Sequence, residues 1–410
     1  MHRIRLFALR KVHIVDKNMI EVALQTYMQE QLNLITLEFK RYMYDKIEWN
    51  LRLVGLVGPR GVGKSTMVLQ HIHETMSNEK TLYVSADHSY FSAHTLTELA
   101  DTFVKNGGEH LYIDEVHKYE GWSRELKQIY DAHPKLKVMF TGSSVLDILA
   151  GEADLSRRVV QYSMQGLSFR EYLEMFHGVK TPVLSFEQIV QGGNLSIKGV
   201  EHPLPLFKEY LREGYYPFSK EGAFYTRLDQ VITQTTEYDI PKFAGMSFST
   251  GRKLHRMLVI LSETVPLKPE YMSLANAIKV SRNDVPDYLL YLEKAQMIGQ
   301  LRDETGGIRG IGKIEKVYLD NTNIMNALVG DHSDIGTLRE TFFYNQTRVC
   351  TDVISSKESD FYINGYTFEV GGKNKKRKQI ADIQNGFLVK DDIEFATDGI
   401  LPLWAFGLMY

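Results

Sequence analysis

Gly58-Pro59-Arg60-Gly61-Val62-Gly63-Lys64-Ser65 decides the fold of this chain. The stretch fits the pattern G-x-x-x-x-G-K-[ST] at every fixed position. Leu53-Val54-Gly55-Leu56-Val57 before it is a short apolar run that suits a buried strand, and Thr66-Met67-Val68-Leu69-Gln70-His71-Ile72 after it continues as a helix. A glycine-rich loop between strand and helix is the setting in which this pattern wraps phosphate. Gly58, Gly61 and Gly63 admit backbone conformations closed to other residues, so N–H groups turn inward around phosphate oxygens. The helix that follows presents its N-terminal partial positive charge to the same anion. Lys64 would reach the β- and γ-phosphates, and the Ser65 hydroxyl would hold Mg²⁺. Gly58, Pro59, Arg60, Gly61, Val62, Gly63, Lys64, Ser65 and Thr66 are therefore the candidate nucleotide-binding residues. The bland alternative is a glycine-rich turn that happens to carry Lys-Ser.

Further on, Glu109-His110-Leu111-Tyr112-Ile113-Asp114-Glu115 is an apolar run ending in two carboxylates. A buried parallel strand has this shape where it emerges into a catalytic crevice. Asp114 would hold Mg²⁺, directly or through water. Glu115 would polarise the water that attacks the γ-phosphate. Alone, such a run is usually structural; beside a phosphate loop it reads as functional. Thr81–Ser85 and Leu136–Phe140 are two more strand candidates. Between the last two strands Trp122, Leu126, Ile129 and Tyr130 recur at helical spacing, and Pro134 stops the helix. Strands alternating with helices predict a parallel, doubly wound sheet with nucleotide at the strand ends.

In that scheme Thr141-Gly142-Ser143-Ser144 ends the strand beside the Asp114 strand. The hydroxyl of Thr141 or Ser143 would position the attacking water or sense the γ-phosphate; the alternative is a turn capped by serine. Arg157 and Arg158, in Asp154-Leu155-Ser156-Arg157-Arg158, are candidates to stabilise transition-state charge, with Arg158 taken as the catalytic one. Their alternative is solvated surface. Arg60, inside the loop, is a further basic candidate.

A strand between the two motifs, and a Glu beside the Asp, favour an ATPase of the AAA+ type over a simple kinase. The motifs resemble a large family of bacterial and archaeal AAA+ ATP-binding proteins. The resemblance rests on Gly58–Ser65, Tyr83-Val84-Ser85-Ala86-Asp87, Ile113-Asp114-Glu115-Val116-His117, Thr141-Gly142-Ser143-Ser144 and Leu167-Ser168-Phe169-Arg170-Glu171-Tyr172. It continues through Tyr210-Leu211-Arg212-Glu213-Gly214-Tyr215-Tyr216-Pro217 and Arg339-Glu340-Thr341-Phe342-Phe343, covering nearly the whole chain. It implies an ATPase domain followed by a C-terminal region of the restriction-endonuclease-like type. It also implies ATP, with ADP as product, rather than GTP; no guanine-reading Asn-Lys-x-Asp motif is present. AAA+ relatives often assemble into rings, so a homo-oligomer or another protein partner is expected.

At 410 residues the chain has room for two to three domains. Hydrophobic content of 43% and charged content of 24% are ordinary for a globular protein. The net charge of −3 excludes a strong polyanion binder overall, so any nucleic-acid contact must be a local patch. Cys350 is the only cysteine, which excludes an intramolecular disulfide and fits a reducing cytoplasm. With no run of eighteen apolar residues and no signal-peptide pattern, a cytoplasmic protein without a membrane partner is expected.

The expected fold class is α/β: a P-loop NTPase sheet of the AAA+ type flanked by helices, then a helical and winged-helix region, then a small α/β endonuclease-like domain. The expected domains are 1–165 for the ATPase with a helical lead-in, 166–265 for a helical lid or linker, 266–330 for the winged-helix-like domain and 331–410 for a degenerate endonuclease-like domain. Val159–Met164 closes the first sheet, Leu167–Phe176 is a helix entering the lid, and 178–205 is loop. Tyr271–Ile278 and a second helix carrying Val285, Tyr288, Leu289, Leu292 and Ala295 flank a turn at Lys279-Val280-Ser281. Met297–Leu301 and Ile314–Tyr318 then form a hairpin. The second helix offers Asp287, Glu293 and Lys294, a poor set for reading bases, which favours protein docking or structure.

Endonuclease-like folds use an acidic residue on one strand and Glu-x-Lys on the next, the carboxylates holding Mg²⁺. Candidates here are Asp360 and Glu369, with Glu340 on a preceding helix. Side chains at i and i+2 share a strand face about 6.6 Å apart, and i+4 lies about 13 Å away. From Glu369 the i+2 position is Gly371, and Lys373 is at i+4. The expectation is a degenerate fold without cleavage. Lys373, Lys375, Lys376, Arg377 and Lys378 form the densest basic cluster, either a solvated loop or a contact to a nucleic-acid backbone. The expected activity is Mg²⁺-dependent ATP hydrolysis coupled to a C-terminal interaction module. The alternatives are a slow nucleotide-gated switch that binds a protein partner, and an ATP-regulated DNA-binding or nuclease protein.

Overall fold

The computed structural model describes residues 22–75, 80–143, 155, 157–193, 195–266, 268–304, 312–330 and 334–410. The chain forms two compact units, residues 1–58 with 63–164 and residues 59–62 with 165–410. Ser144, Asp154 and Ser156 lie outside the described residues.

The first unit opens with helix α1 over 22–33. It continues with strands β1 (Leu53–Gly58), β2 (Thr81–Ser85), β3 (His110–Asp114), β4 (Lys137–Ser143) and β5 (Val160–Ser163). Helix α2 (Lys64–Thr75) joins β1 to β2, α3 (Leu96–Lys105) joins β2 to β3, and α4 (Trp122–Ala132) joins β3 to β4. Among the described residues the sheet has five strands in the order β2-β3-β4-β1-β5, all parallel. The interior strands are apolar runs because helices cover both faces of such a sheet; β1 is buried at every position. Strand β5 lies at the edge and is largely exposed. A capping box between Thr95 and Glu98 starts α3, and α4 buries Trp122, Leu126 and Ile129 as the spacing predicts. Strand β4 lies beside the Asp114 strand, as expected, and separates it from the loop strand β1.

The second unit holds α5 (Phe169–His177), α6 (Phe186–Val190), α7 (Pro203–Glu213), α8 (Phe224–Thr233), α9 (Ile240–Ala244) and α10 (Phe248–Thr264). A π-helical turn, Gln234–Asp239, joins α8 to α9. Helix α6 and the start of α7 fall within 178–205, where loop was expected: Ser185 caps α6, and Pro203 sits in the first turn of α7. The helix after Ser168 does not stand in a separate lid. Phe169, Tyr172 and Leu173 of α5 share one core with Phe207, Phe342, Phe343, Trp404 and Phe406.

Helices α11 (Tyr271–Ile278) and α12 (Val285–Lys294) precede an antiparallel hairpin of β6 (Ile298–Arg302) and β7 (Ile314–Leu319). Ser281 caps a short 3₁₀ turn, Arg282–Asp284, ahead of α12, and Pro286 falls in the first turn of that helix. Helices α13 (Thr322–Val329) and α14 (Ile335–Thr347) lead to a second sheet. Its strands are β8 (Ile354–Ser355), β9 (Phe361–Ile363), β10 (Tyr366–Gly371), β11 (Gly386–Lys390) and β12 (Ile400–Pro402). They run in the order β12-β11-β10-β9-β8, with β10, β11 and β12 mutually parallel. Asn364 and Gly365, both at positive φ, make the tight turn between β9 and β10. Leu401–Leu408 is buried, first as the end of β12 and then as a 3₁₀ helix, Leu403–Leu408.

Candidate functional site

The loop Gly58–Ser65 leaves the end of β1 and enters α2 at Lys64. Gly61 and Gly63 have φ of +78° and +92°, which favours glycine. The expectation for Gly58 needs correction. Its φ is not positive; instead an added Cβ would lie 2.2 Å from the carbonyl oxygen of Met164. Met164 is fixed there because its N–H donates to Val57 at 2.8 Å. Lys64 is buried, and its Nζ donates to the Gly58 carbonyl at 2.8 Å, spanning the loop from inside. Thr66 is exposed on the first turn of α2. The Arg60 guanidinium donates to Asp239 at 2.7 Å within the second unit, so Arg60 would offer phosphate its N–H rather than its charge.

At the end of β3 the Asp114 carboxylate accepts three hydroxyls. Ser65 Oγ donates to Oδ1 at 2.9 Å, Thr141 Oγ1 donates to the same oxygen, and Tyr83 donates to Oδ2 at 2.8 Å. Burial first, and the Asp114 charge next, hold the Tyr83 phenol far above its ordinary pKa, so it remains a donor. Glu115 follows in the left-handed region, at φ 53° and ψ 38°. Its N–H donates to Thr141 Oγ1 at 3.1 Å. Its carboxylate lies 3.1 Å from His117 Nε2.

The structure thus brings together Lys64, Ser65, Asp114, Glu115 and Thr141, which the sequence singled out. Ser65 and Asp114 offer adjacent oxygen ligands, a set that fits Mg²⁺. That ion usually takes one or two carboxylates plus phosphate oxygens and water rather than a protein cage. Among the described residues there is no group of three or more His, Cys, Asp or Glu that could hold a metal ion.

Arg158 is not part of this arrangement, and its expected catalytic role within the chain is corrected. Its guanidinium makes two bonds to Asp131, at 3.0 and 3.1 Å, with Tyr130 beside it. Arg52, just before β1, stacks on the same Tyr130 ring at 3.7 Å. Strands β1 and β5 are parallel, with Val54 opposite Val160. Arg158 therefore precedes β5 at the end of the sheet where β1 begins, roughly 17 Å from the phosphate loop at about 3.3 Å per residue.

Two residues were missed from sequence, Tyr83 and His117. Both flank the acidic pair, and His117 had a local signal in its position two residues after Glu115.

In the second unit, Lys316 Nζ lies 3.1 Å from Glu340 and 2.8 Å from Asp360, and Tyr318 donates to Glu340 at 2.8 Å. Glu369 is buried and pairs with Lys375 and Ser359. Lys373, whose spacing from Glu369 argued against a Glu-x-Lys site, is exposed and is not the lysine paired with Glu369. The chain turns after Gly371, with Lys375 N–H on the Gly372 carbonyl at 3.0 Å, and Lys375 is the lysine that reaches back. The three candidate carboxylates are met by two ammonium groups. Of the basic cluster, Arg377 is also engaged, by the carbonyls of Asp398 and Gly386, while Lys373, Lys376 and Lys378 are exposed.

Known proteins resemble parts of this chain. Residues 50–173 match a family model described as an AAA domain, and residues 204–334 match a domain of unknown function. An uncharacterized protein of Methanocaldococcus jannaschii is 26% identical over 324 residues, covering 71% of this chain and 67% of that protein. The S. cerevisiae Hsp104–ADP complex aligns at 16% identity and a TM-score of 0.30, over 65% of this chain and 41% of that one. C. elegans PCH-2 aligns at 16% identity and a TM-score of 0.25, over 67% and 69% of the two chains. A structure of katanin self-assembly aligns at 14% identity and a TM-score of 0.27, over 66% and 86%. The structural likenesses are too slight to add to the reading. Residues 50–173, which carry the parallel sheet, the phosphate loop and the acidic pair, are thus similar in sequence to AAA domains.

Proposed function

We propose that this AAA domain binds ATP with Mg²⁺ and hydrolyses it. The observation that carries the proposal is the convergence of loop and acidic strand, with Ser65 Oγ 2.9 Å from Asp114 Oδ1 and Glu115 next in the chain. The N-terminal N–H groups of α2 and the Lys64 ammonium would hold the phosphates. To do so, Lys64 must exchange the Gly58 carbonyl for phosphate oxygen. Ser65 and Asp114 would hold the ion, which when bound neutralises charge building on the β- and γ-phosphate oxygens. Glu115 would orient the attacking water and take its proton.

The test is steady-state phosphate release by wild type and Glu115→Gln, with binding of a non-hydrolysable ATP analogue measured on both. The expected result is a loss of about 100-fold or more in kcat, with analogue affinity kept. Analogue binding without turnover in the wild type would replace the enzyme by a nucleotide-gated switch.

The second unit reads as the partner-facing module that nucleotide state controls. The order α11, α12, hairpin supports a winged-helix reading. Glu293 on α12 is paired with Arg302, leaving few groups to read bases, which favours protein over DNA. The mixed sheet, with Glu369 on β10, Asp360 just before β9 and Glu340 on the preceding α14, supports a degenerate endonuclease-like reading without cleavage, because lysines meet all three carboxylates. A second copy of the chain is the first partner to test, by particle mass with and without ATP. We place the activity in the cytoplasm, on the single cysteine; among the described residues no helix is long and apolar enough to cross a membrane.

A further inference from the structure

Glu115 occupies a backbone conformation that L-residues other than Asn and Asp seldom adopt. Such a conformation persists where the surroundings over-determine it. Here the surroundings are specific. After Glu115 the chain closes a 3₁₀ turn, Val116–Lys118, with Lys118 N–H on the Glu115 carbonyl at 2.8 Å. The turn carries the His117 ring back beneath the strand ends, where its side chain is 1% exposed.

Both nitrogens of that ring have a polar neighbour. The backbone N–H of Ser143, at the end of β4, donates to Nδ1 at 3.3 Å. An amide N–H only donates, so Nδ1 must present its lone pair. In a neutral imidazole the proton then resides on Nε2. Nε2 lies 3.1 Å from Glu115 Oε2, within reach of a hydrogen bond from the ring. Nε2 cannot act as a base while it carries that proton, and Nδ1 is already accepting. In that state the ring can hold the carboxylate.

We infer that His117 is a positioning residue for Glu115, transmitting the position of β4 to the group that activates water. The inference rests on the hydrolytic reading of the site. Glu115 is held at two points from the same strand, its backbone N–H by Thr141 Oγ1 and its carboxylate by Ser143 through His117. Held this way, the carboxylate keeps a single orientation beside Asp114 despite being one-quarter exposed. Loss of the ring's N–H lets it rotate into solvent, which lowers the fraction of bound ATP attacked without changing how ATP is held.

Two substitutions separate the two ring nitrogens. Asn carries its polar atoms as many bonds from Cα as Nδ1, and Gln as many as Nε2. His117→Asn keeps an acceptor for Ser143 and loses the donor to Glu115. His117→Gln restores an N–H at the depth of Nε2. In the full chain, steady-state hydrolysis and affinity for a non-hydrolysable ATP analogue are measured on wild type, Glu115→Gln, both His117 variants and the His117→Asn/Glu115→Gln double variant. The expected result for His117→Asn is a kcat about tenfold lower or more, with KM and analogue affinity within about twofold. His117→Gln should recover most of that loss. The double variant should be no slower than Glu115→Gln alone, since residues acting as a unit are not additive.

Equal activity of the Asn and Gln variants, whether both wild-type-like or both reduced, overturns the inference. So does a fall confined to analogue affinity. If wild type hydrolyses ATP and Glu115→Gln does not, an unaffected His117→Asn sinks this inference alone. Absent wild-type turnover overturns both it and the hydrolytic reading. Should His117→Asn fold poorly, histidine ¹⁵N NMR of the wild type decides. The resonance missing from the His117→Gln spectrum must carry its proton on Nε2, and a proton on Nδ1 overturns the assignment.

Discussion

Lys316 stands between two carboxylates of the second unit, and removing its charge has a calculable cost. The side chains of Lys316, Glu340 and Asp360 are 29%, 16% and 17% exposed. Lys316→Met keeps most of the aliphatic stem and deletes the ammonium. Breaking a fully buried pair costs about 3–5 kcal/mol, because the stranded charge is left without a partner. Partial exposure reduces this to about 2–3 kcal/mol. At roughly 2–4 °C per kcal/mol for a unit of this size, its melting transition should fall by about 5–10 °C at pH 8. The loss depends on pH with a fixed sign. Burial, and then the neighbouring Asp360 charge, raise the Glu340 carboxyl above its ordinary pKa. An acid raised in the folded state contributes stability that is present below its unfolded pKa and is lost as pH rises through the folded one. Without Lys316 the Glu340 carboxyl rises further, so the deficit shrinks as pH falls and the carboxyl takes up a proton. Scanning calorimetry of both proteins at pH 5 and pH 8 measures this. A shift under about 1 °C at pH 8, or an equal deficit at both pH values, would refute the view that the ammonium neutralises this pair.

Two further outcomes follow from the nucleotide domain. Gly58→Ala places a Cβ 2.2 Å from the Met164 carbonyl, so the loop and the chain after β5 must part; analogue affinity should fall at least tenfold, read by titration, with a cost of about 1–3 kcal/mol in stability. Arg158→Ala removes a cation at the far end of the sheet, so kcat of dilute protein should stay within about twofold of wild type; a larger loss that grows with protein concentration would show the arginine acting on a neighbouring copy.

The phosphate loop was legible in the sequence because its chemistry is local: fixed spacing, a strand before it and a helix after it. Asp114, Glu115 and Thr141 were legible one step later, since parallel strands bring their C-terminal ends together whatever lies between. The direction of β5 was equally available. A parallel strand over Val159–Met164 starts at the end away from the phosphates, which already moves Arg158 off the site. Asn364-Gly365 was a hairpin signal that a reading centred on carboxylates passed over. Other contacts were not legible. Lys375 reaches Glu369 through a turn after Gly371, where spacing along a straight strand no longer applies. Lys316 arrives from a different hairpin, through a contact 44 residues apart in the chain. The role of His117 depends on Ser143 N–H, a backbone group that carries no sequence signature.

The placement of β4 between β3 and β1 has a chemical consequence beyond topology. Thr141 donates to Asp114 and accepts from the Glu115 N–H, while Ser143 N–H fixes the ring that holds the Glu115 carboxylate. One short strand end therefore sets the residue that would hold the ion and the residue that would activate water. Side chains at positions 141 and 143 lie on the same face of the strand, yet Ser143 acts on His117 through its backbone. Substituting its side chain should leave the Glu115 carboxylate in place, whereas displacing the strand end should move both acidic groups together. A site built this way responds as a unit to a shift of β4, because the loop strand lies on its other side, paired with it from Leu53 to Gly58. The loop begins where that pairing ends, so the groups proposed to bind phosphate and to activate water share one rigid reference.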